Sequence, residues 1–168
     1  MQDVKDITII GAGPTGLFAA FYAGMRGASC RLIDTLDQVG GQLTALYPEK
    51  YIFDVAGFPK VLAKDLVKGM AEQALQFKAP VHLGENVTGL RRDRADGGPA
   101  FTVETDRDTY PSRTVLIAGG IGAFTPRKLP LKDAERWLGK GLHDRILDLA
   151  PFRGKRVLLV GGGDSAFD

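Results

Sequence analysis

Three glycines near the amino terminus have the spacing of a loop that binds a diphosphate. Gly11, Gly13 and Gly16 follow the apolar run ITII (7–10) and fit the pattern G-x-G-x-x-G. The first glycine of this pattern permits a tight turn, the second lets a pyrophosphate approach the backbone, and the third lets the next helix pack against the sheet. Backbone N–H groups at the start of that helix would face the negative charge of the phosphates.

Residues on either side of this pattern support a dinucleotide site. Pro14 suits the first turn of a helix, and Thr15 adds a hydroxyl at the same place. Asp34 ends the next predicted strand, about 20 residues on, where a carboxylate would accept hydrogen bonds from a ribose hydroxyl. Because a carboxylate repels a 2′-phosphate, the site suits FAD or NAD rather than NADP. The alternative is a strand–helix–strand turn that binds no ligand.

A second glycine loop lies near the other end of the sequence. Gly161, Gly163, Asp164 and Ser165 belong to a G-x-G-x-x-A pattern that follows the apolar run VLLV (157–160). Two such loops, about 150 residues apart, predict two bound dinucleotides. The usual reason for binding two is hydride transfer from a nicotinamide to a flavin.

The elements that would position these loops alternate between strands and helices. Hydrophobic runs predict buried strands, amphipathic segments predict helices, and three short runs predict a β-meander. The predicted strands are 6–10, 29–34, 81–83, 114–120 and 155–160, the helices are 14–26 and 64–77, and the meander is 86–91, 100–104 and 109–111. This order predicts an α/β fold: a parallel sheet layered with helices plus a small antiparallel meander, then the start of a second α/β domain. We predict the first nucleotide-binding domain over 1–120, and a hinge with the truncated start of a second over 121–168.

Composition restricts the class of protein. A net charge of +2 is too small to argue for nucleic acid or an anionic membrane, and no apolar run is long enough for a membrane span. The two histidines, His82 and His143, have no cysteine or carboxylate at metal-ligand spacing, so we predict no metal site. We expect a cytoplasmic protein. The second glycine loop comes so close to the end of the sequence that we expect the chain to be the front part of a longer protein.

The two glycine loops and the run TVLIAGG (114–120) resemble those of the two-dinucleotide-binding flavoprotein reductases. More narrowly, GGQLTALYPEKYIFDVAGFP (40–59) with GAFTPRKL (122–129) resembles the thioredoxin-reductase-like ferredoxin–NADP reductases, over roughly the first half of a member. This resemblance implies a Rossmann-like FAD-binding domain followed by a Rossmann-like domain for NADPH, in a homodimer.

The resemblance also implies roles for individual residues. Asp34 would hold the adenosine ribose, and Gln42 and Tyr47 would flank the flavin side of the cofactor. The Val87 backbone would meet the adenine, and Phe124 would pack near the isoalloxazine. The predicted FAD site therefore comprises Gly11, Gly13, Pro14, Thr15, Gly16, Asp34, Gly41, Gln42, Tyr47, Val87 and Phe124, and the predicted NADPH site comprises Gly161, Gly163, Asp164 and Ser165.

The number of cysteines predicts how electrons would leave the flavin. In thioredoxin reductases a redox dithiol lies just upstream of the second glycine loop, whereas this chain has a single cysteine, Cys30, near the start of a predicted strand. Electrons should therefore pass directly from FAD to an external ferredoxin or flavodoxin. The mechanism needs no acid or base from the protein, so we predict no catalytic side chain.

Two alternatives remain open from the sequence. One is a related flavoprotein reductase without a dithiol, or a monooxygenase, that uses another acceptor such as a quinone. The other is an inactive fragment that serves only as a partial nucleotide-binding scaffold.

Overall fold

The computed structural model describes residues 3–93, 99–122, 129–144, 146 and 148–163. The first part of the chain alternates strands and helices around one mixed sheet. Its elements are β1 (Lys5–Ile10), α1 (Pro14–Met25), β2 (Cys30–Asp34), α2 (Gln42–Ala45), β3 (Tyr51–Ile52), β4 (Val61–Leu62), α3 (Ala63–Leu75), β5 (Val81–Leu83), β6 (Val87–Arg92), β7 (Phe101–Thr105) and β8 (Thr109–Ile117). Two 3₁₀ turns follow, at Ala134–Trp137 and Ala150–Phe152.

The sheet has six strands in the order β5-β2-β1-β8-β7-β6. Strands β5, β2, β1 and β8 pair in parallel, while β8, β7 and β6 form an antiparallel meander. The predicted α/β class and both kinds of strand pairing are confirmed. Strands β3 and β4 form a separate antiparallel pair, and the sequence predicted neither of these strands.

The meander and the parallel strands share strand β8, which differs from the prediction of two separate runs. Its first half pairs with β7 and its second half pairs with β1, and Ser112 has a partner on each side. The two runs are therefore one nine-residue strand that changes neighbours at its middle.

The core lies on both faces of this sheet. Because successive side chains of a strand point to opposite faces, Leu32 and Ile33 enter different apolar clusters. Leu32 packs with Ile9 and with the small residues Ala20 and Ala23 of α1. These small residues let α1 lie close to the sheet, and that approach brings its first turn to the end of β1.

The apolar run before the second glycine loop forms no strand in the structure, so the predicted strand over 155–160 is wrong. Its side chains are exposed, with Leu158 at 87%. A strand requires hydrogen bonds to a neighbour, and no strand among the described residues pairs with this run. The division into domains at residue 120 stays a prediction. No helix within the described ranges is long and apolar enough to cross a membrane.

Candidate functional site

The glycine loop joins the end of β1 to the first turn of α1, as the sequence predicted. Gly11 has a φ of +107°, and a side chain there would overlap the Ala118 carbonyl group at the end of β8. A Cβ on Gly16 would overlap the carbonyl oxygen of Gly11, so α1 lies directly against the loop. Helix α1 begins at Pro14, and the free N–H groups of its first turn lie at the carboxyl ends of the parallel strands.

The carboxylate of Asp34 is tied to this loop. One oxygen accepts the backbone N–H of Ala12 at 2.6 Å, and the other accepts the N–H of Leu36 at 2.9 Å. The side chain therefore holds the end of β2 against the glycine loop, a structural role that the sequence did not reveal. Its predicted role with ribose stays a prediction.

A second pair of glycines closes over the first loop. The Gly40 N–H donates to the Ala12 carbonyl at 2.8 Å, and Gly41 has a φ of +57°. A Cβ on Gly41 would lie 2.9 Å from the Cα of Gly13, so the two glycines face each other with no side chain between them. This arrangement leaves bare backbone on both sides of the space next to the start of α1.

The space bounded by these loops is a cleft of about 520 Å³. It lies at the carboxyl ends of β1, β2 and β8, the edge at which open α/β sheets bind their ligands. Nine predicted site residues line it: Gly11, Gly13, Pro14, Thr15, Asp34, Gly41, Gln42, Tyr47 and Val87.

Of the remaining predicted site residues, Gly16, Gly161 and Gly163 are described and are not among the residues that line the cleft. Gly16 lies behind the loop, where it sets the distance between α1 and the sheet. Gly161 and Gly163 are exposed in the irregular segment after residue 155. Phe124, Asp164 and Ser165 fall outside the described residues, so their roles stay predictions.

Sequence reasoning did not assign several residues that line the cleft. One group is the run Ala118–Gly122 after β8, and the others include Glu85, Asn86, Leu43 and Leu46. The glycines after β8 were a usable signal, because they follow a buried strand in the same way as the first loop does. Glu85 and Asn86 gave no such signal, since only the strand order brings them beside the end of β2.

The charged side chains of the cleft limit the ways in which it could bind an anion. Its lining has two acidic residues, Asp34 and Glu85, and contains no Lys, Arg or His among the described residues. A diphosphate in this cleft would therefore rely on backbone N–H groups and on the positive end of the α1 dipole.

Cys30 lies away from this cleft, in the core between α1 and the sheet. It is buried, its sulfur lies 3.9 Å from the Ala20 carbonyl oxygen, and burial raises the pKa of the thiol. A neutral, buried thiol is a poor nucleophile, so Cys30 is a residue of the core. Within the part of the chain that the structure describes, no group of three or more potential metal ligands comes together.

Comparison with known proteins matches this chain to one family of oxidoreductases and to curated reductases. A family model described as "Pyridine nucleotide-disulphide oxidoreductase" matches residues 5–168. The ferredoxin–NADP reductase of Thermus thermophilus is 53% identical over 167 residues, which are 99% of this chain and 49% of that protein. Ferredoxin–NADP reductase 2 of Bacillus subtilis is 53% identical over 165 residues, which are 98% and 49% of the two chains. The chain thus spans about half the length of the curated relatives it matches.

Solved structures show the same kind of fold. The crystal structure of T. acidophilum thioredoxin reductase matches with a TM-score of 0.60 and 32% identity, over 82% of this chain and 41% of that one. The thioredoxin reductase of Streptococcus pyogenes MGAS5005 matches with a TM-score of 0.61 and 25% identity, over 84% and 42% of the two chains.

Proposed function

Because the chain belongs to the pyridine nucleotide-disulphide oxidoreductase family, we propose that it supplies the FAD-binding part of a ferredoxin–NADP reductase. The observation that carries this proposal is the cleft at the glycine loop. It combines a helix amino terminus, facing glycines without side chains, and a carboxylate at the end of β2.

We propose that residues of the cleft bind successive parts of FAD. The bare backbone at Gly13 and Gly41 leaves room for the diphosphate beside the first turn of α1. Asp34 would accept a hydrogen bond from the adenosine ribose, with Val87 near the adenine. Gln42, whose side chain lies close to Gly120, and Tyr47 would flank the flavin side. When bound, FAD would supply hydride acceptance and one-electron release, and the chain would orient it.

The cysteine content of these 168 residues and the names of the relatives support an external electron acceptor. A single buried cysteine cannot form the dithiol through which a thioredoxin reductase passes electrons, although thioredoxin reductases share this fold. The relatives at about 50% identity are named ferredoxin–NADP reductases. We therefore propose NADPH as the electron donor, bound at the second glycine loop, and ferredoxin or flavodoxin as the acceptor. We also propose a cytoplasmic homodimer.

The proposal is tested by acceptor assays on the intact protein that carries this chain. We expect a yellow protein that contains FAD and that oxidises NADPH rapidly only when ferredoxin or flavodoxin is present. Thioredoxin serves as the control acceptor and should stay oxidised. A protein that does not take up FAD, or that reduces a quinone in place of ferredoxin, would contradict the proposal.

A further inference from the structure

The segment between β5 and β6 is held from two sides where it borders the cleft. Toward β2, the Gly84 N–H donates to the Leu36 carbonyl at 2.8 Å, and the Glu85 N–H donates to the Asp34 carbonyl at 3.0 Å. Toward the β7–β8 turn, the Asn86 N–H donates to a carboxylate oxygen of Asp106 at 2.9 Å. The backbone that reaches Val87 therefore bridges the parallel strands and the meander.

The side chain of Glu85 joins this bridge to the meander. It is 5% exposed, and its Oε1 accepts hydrogen bonds from the Thr105 hydroxyl at 2.6 Å and from the Tyr110 hydroxyl at 2.8 Å. Burial, together with the hydrogen bond to Glu85, raises the pKa of Tyr110 above its usual value, so its hydroxyl stays a donor. The Nδ1 atom of His82 lies 3.1 Å from the same hydroxyl.

Val87 pairs with Thr105, but the strand pairing next to it is irregular. The register between β6 and β7 shifts between Val87 and Gly89, so the ladder is interrupted just where the strand reaches the cleft. A buried carboxylate is costly compared with an apolar side chain of similar size. Here the buried carboxylate of Glu85 accepts hydrogen bonds from two hydroxyls, one on β7 and one on β8.

We propose that Glu85 is a positioning residue that fixes the Asn86–Val87 backbone for the adenosine half of a bound dinucleotide. This inference rests on the proposed FAD site. Glu85 acts through its hydrogen bonds to Thr105 and Tyr110, and it need not touch the ligand.

The test uses the intact apoprotein and two ligands, FAD and AMP, the second of which carries only the adenosine end. Glu85→Leu removes the acceptor that the Thr105 and Tyr110 hydroxyls share, so its Kd for both ligands should rise about tenfold. Glu85→Gln keeps an acceptor oxygen and should return both values to within about threefold of wild type. Glu104→Leu, which removes a more exposed carboxylate on β7, is the matched control and should change neither Kd. Fluorescence titration measures FAD, and displacement of FAD measures AMP.

Several outcomes would overturn the role of Glu85. These are Kd values for Glu85→Leu within about twofold of wild type, or weaker binding of FAD without weaker binding of AMP. If Glu85→Leu does not fold, Thr105→Val and Tyr110→Phe each remove one donor, and both should weaken AMP about threefold. Unchanged affinity for AMP in both of these variants would also overturn the role of Glu85. A wild-type protein that binds no FAD would instead contradict the proposed function.

Discussion

At the scale of single residues, Asp34 has a structural task besides its proposed contact with ribose. Its two oxygens accept the backbone N–H groups of Ala12 and Leu36. Hydrogen bonds to a charged group contribute roughly 1.5–3 kcal/mol each when their loss leaves a partner without a substitute. We predict that Asp34→Ala lowers the free energy of unfolding of the apoprotein by about 2 kcal/mol and raises the Kd for FAD at least about tenfold.

Urea unfolding of the apoprotein and FAD titration separate these two effects. Asp37→Ala, which removes an exposed carboxylate three positions away, is the control and should change neither quantity. Weaker FAD binding by Asp34→Ala with unchanged stability would mean that the carboxylate serves the ribose alone.

Cys30 gives a second prediction at this scale, because burial raises the pKa of its thiol. A raised pKa leaves less thiolate at pH 8 than an exposed cysteine would have, and the core shields the sulfur from reagents. We predict that the native protein reacts with a thiol-specific dye at pH 8 at least about a hundredfold more slowly than the urea-unfolded protein. The rate of colour formation measures this reaction, and rapid labelling of the folded chain would contradict the burial of Cys30.

At the scale of elements, two helical glycines test what brings α1 against the glycine loop. A methyl group on Gly16 would overlap the Gly11 carbonyl oxygen, whereas one on Gly69, in α3, would meet no atom within 4 Å. Gly16→Ala should therefore push α1 outward and lower the free energy of unfolding by about 3 kcal/mol. Gly69→Ala should raise that free energy by about 0.5–1 kcal/mol, because alanine favours a helix.

Thermal and urea unfolding of the two variants measure this contrast. Since both changes replace glycine by alanine inside a helix, the comparison removes the intrinsic effect of the residue type. Equal stability changes in the two variants would contradict the close packing of α1 on the loop.

The elements also show what the sequence could and could not predict. The unit β1-α1-β2 was predictable to within a residue or two, because glycine, proline and apolar runs mark its boundaries locally. Strand β8 was predicted as two runs because nothing in the sequence tells which neighbour each half has. The run 155–160 has strand composition but no hydrogen-bonding neighbour among the described residues, so composition alone predicted wrongly.

The sequence could likewise predict some residues of the candidate site but not others. The glycines and Asp34 were predictable because their spacing along the chain reflects one local turn and one strand. Glu85 was not, because its position depends on hydrogen bonds to Thr105 and Tyr110, 20 and 25 residues away along the chain. Residues that act through distant contacts leave no periodic or spaced signal in a single sequence.

At the scale of the whole molecule, the described surface has a run of exposed apolar side chains just before the second glycine loop. Val157, Leu158, Leu159 and Val160 are 52%, 87%, 63% and 69% exposed, and they are consecutive. Contiguous exposed apolar side chains of this kind mark interaction surfaces or sites of aggregation. We infer that this run is covered in a protein of the relatives' length, of which this chain spans about half.

A comparison between a polypeptide of residues 1–168 and the intact protein tests this inference. We predict that residues 1–168 alone bind a hydrophobic fluorescent dye, bind FAD at least about tenfold more weakly, and do not oxidise NADPH. The double variant Leu158→Ser and Val160→Ser should reduce dye binding without changing FAD affinity, because these residues do not line the cleft. If residues 1–168 were instead yellow, active and free of dye binding, then this segment, which contains both glycine loops, would be sufficient for the whole reaction. That result would contradict the inference that the run 157–160 is covered by a further part of the protein.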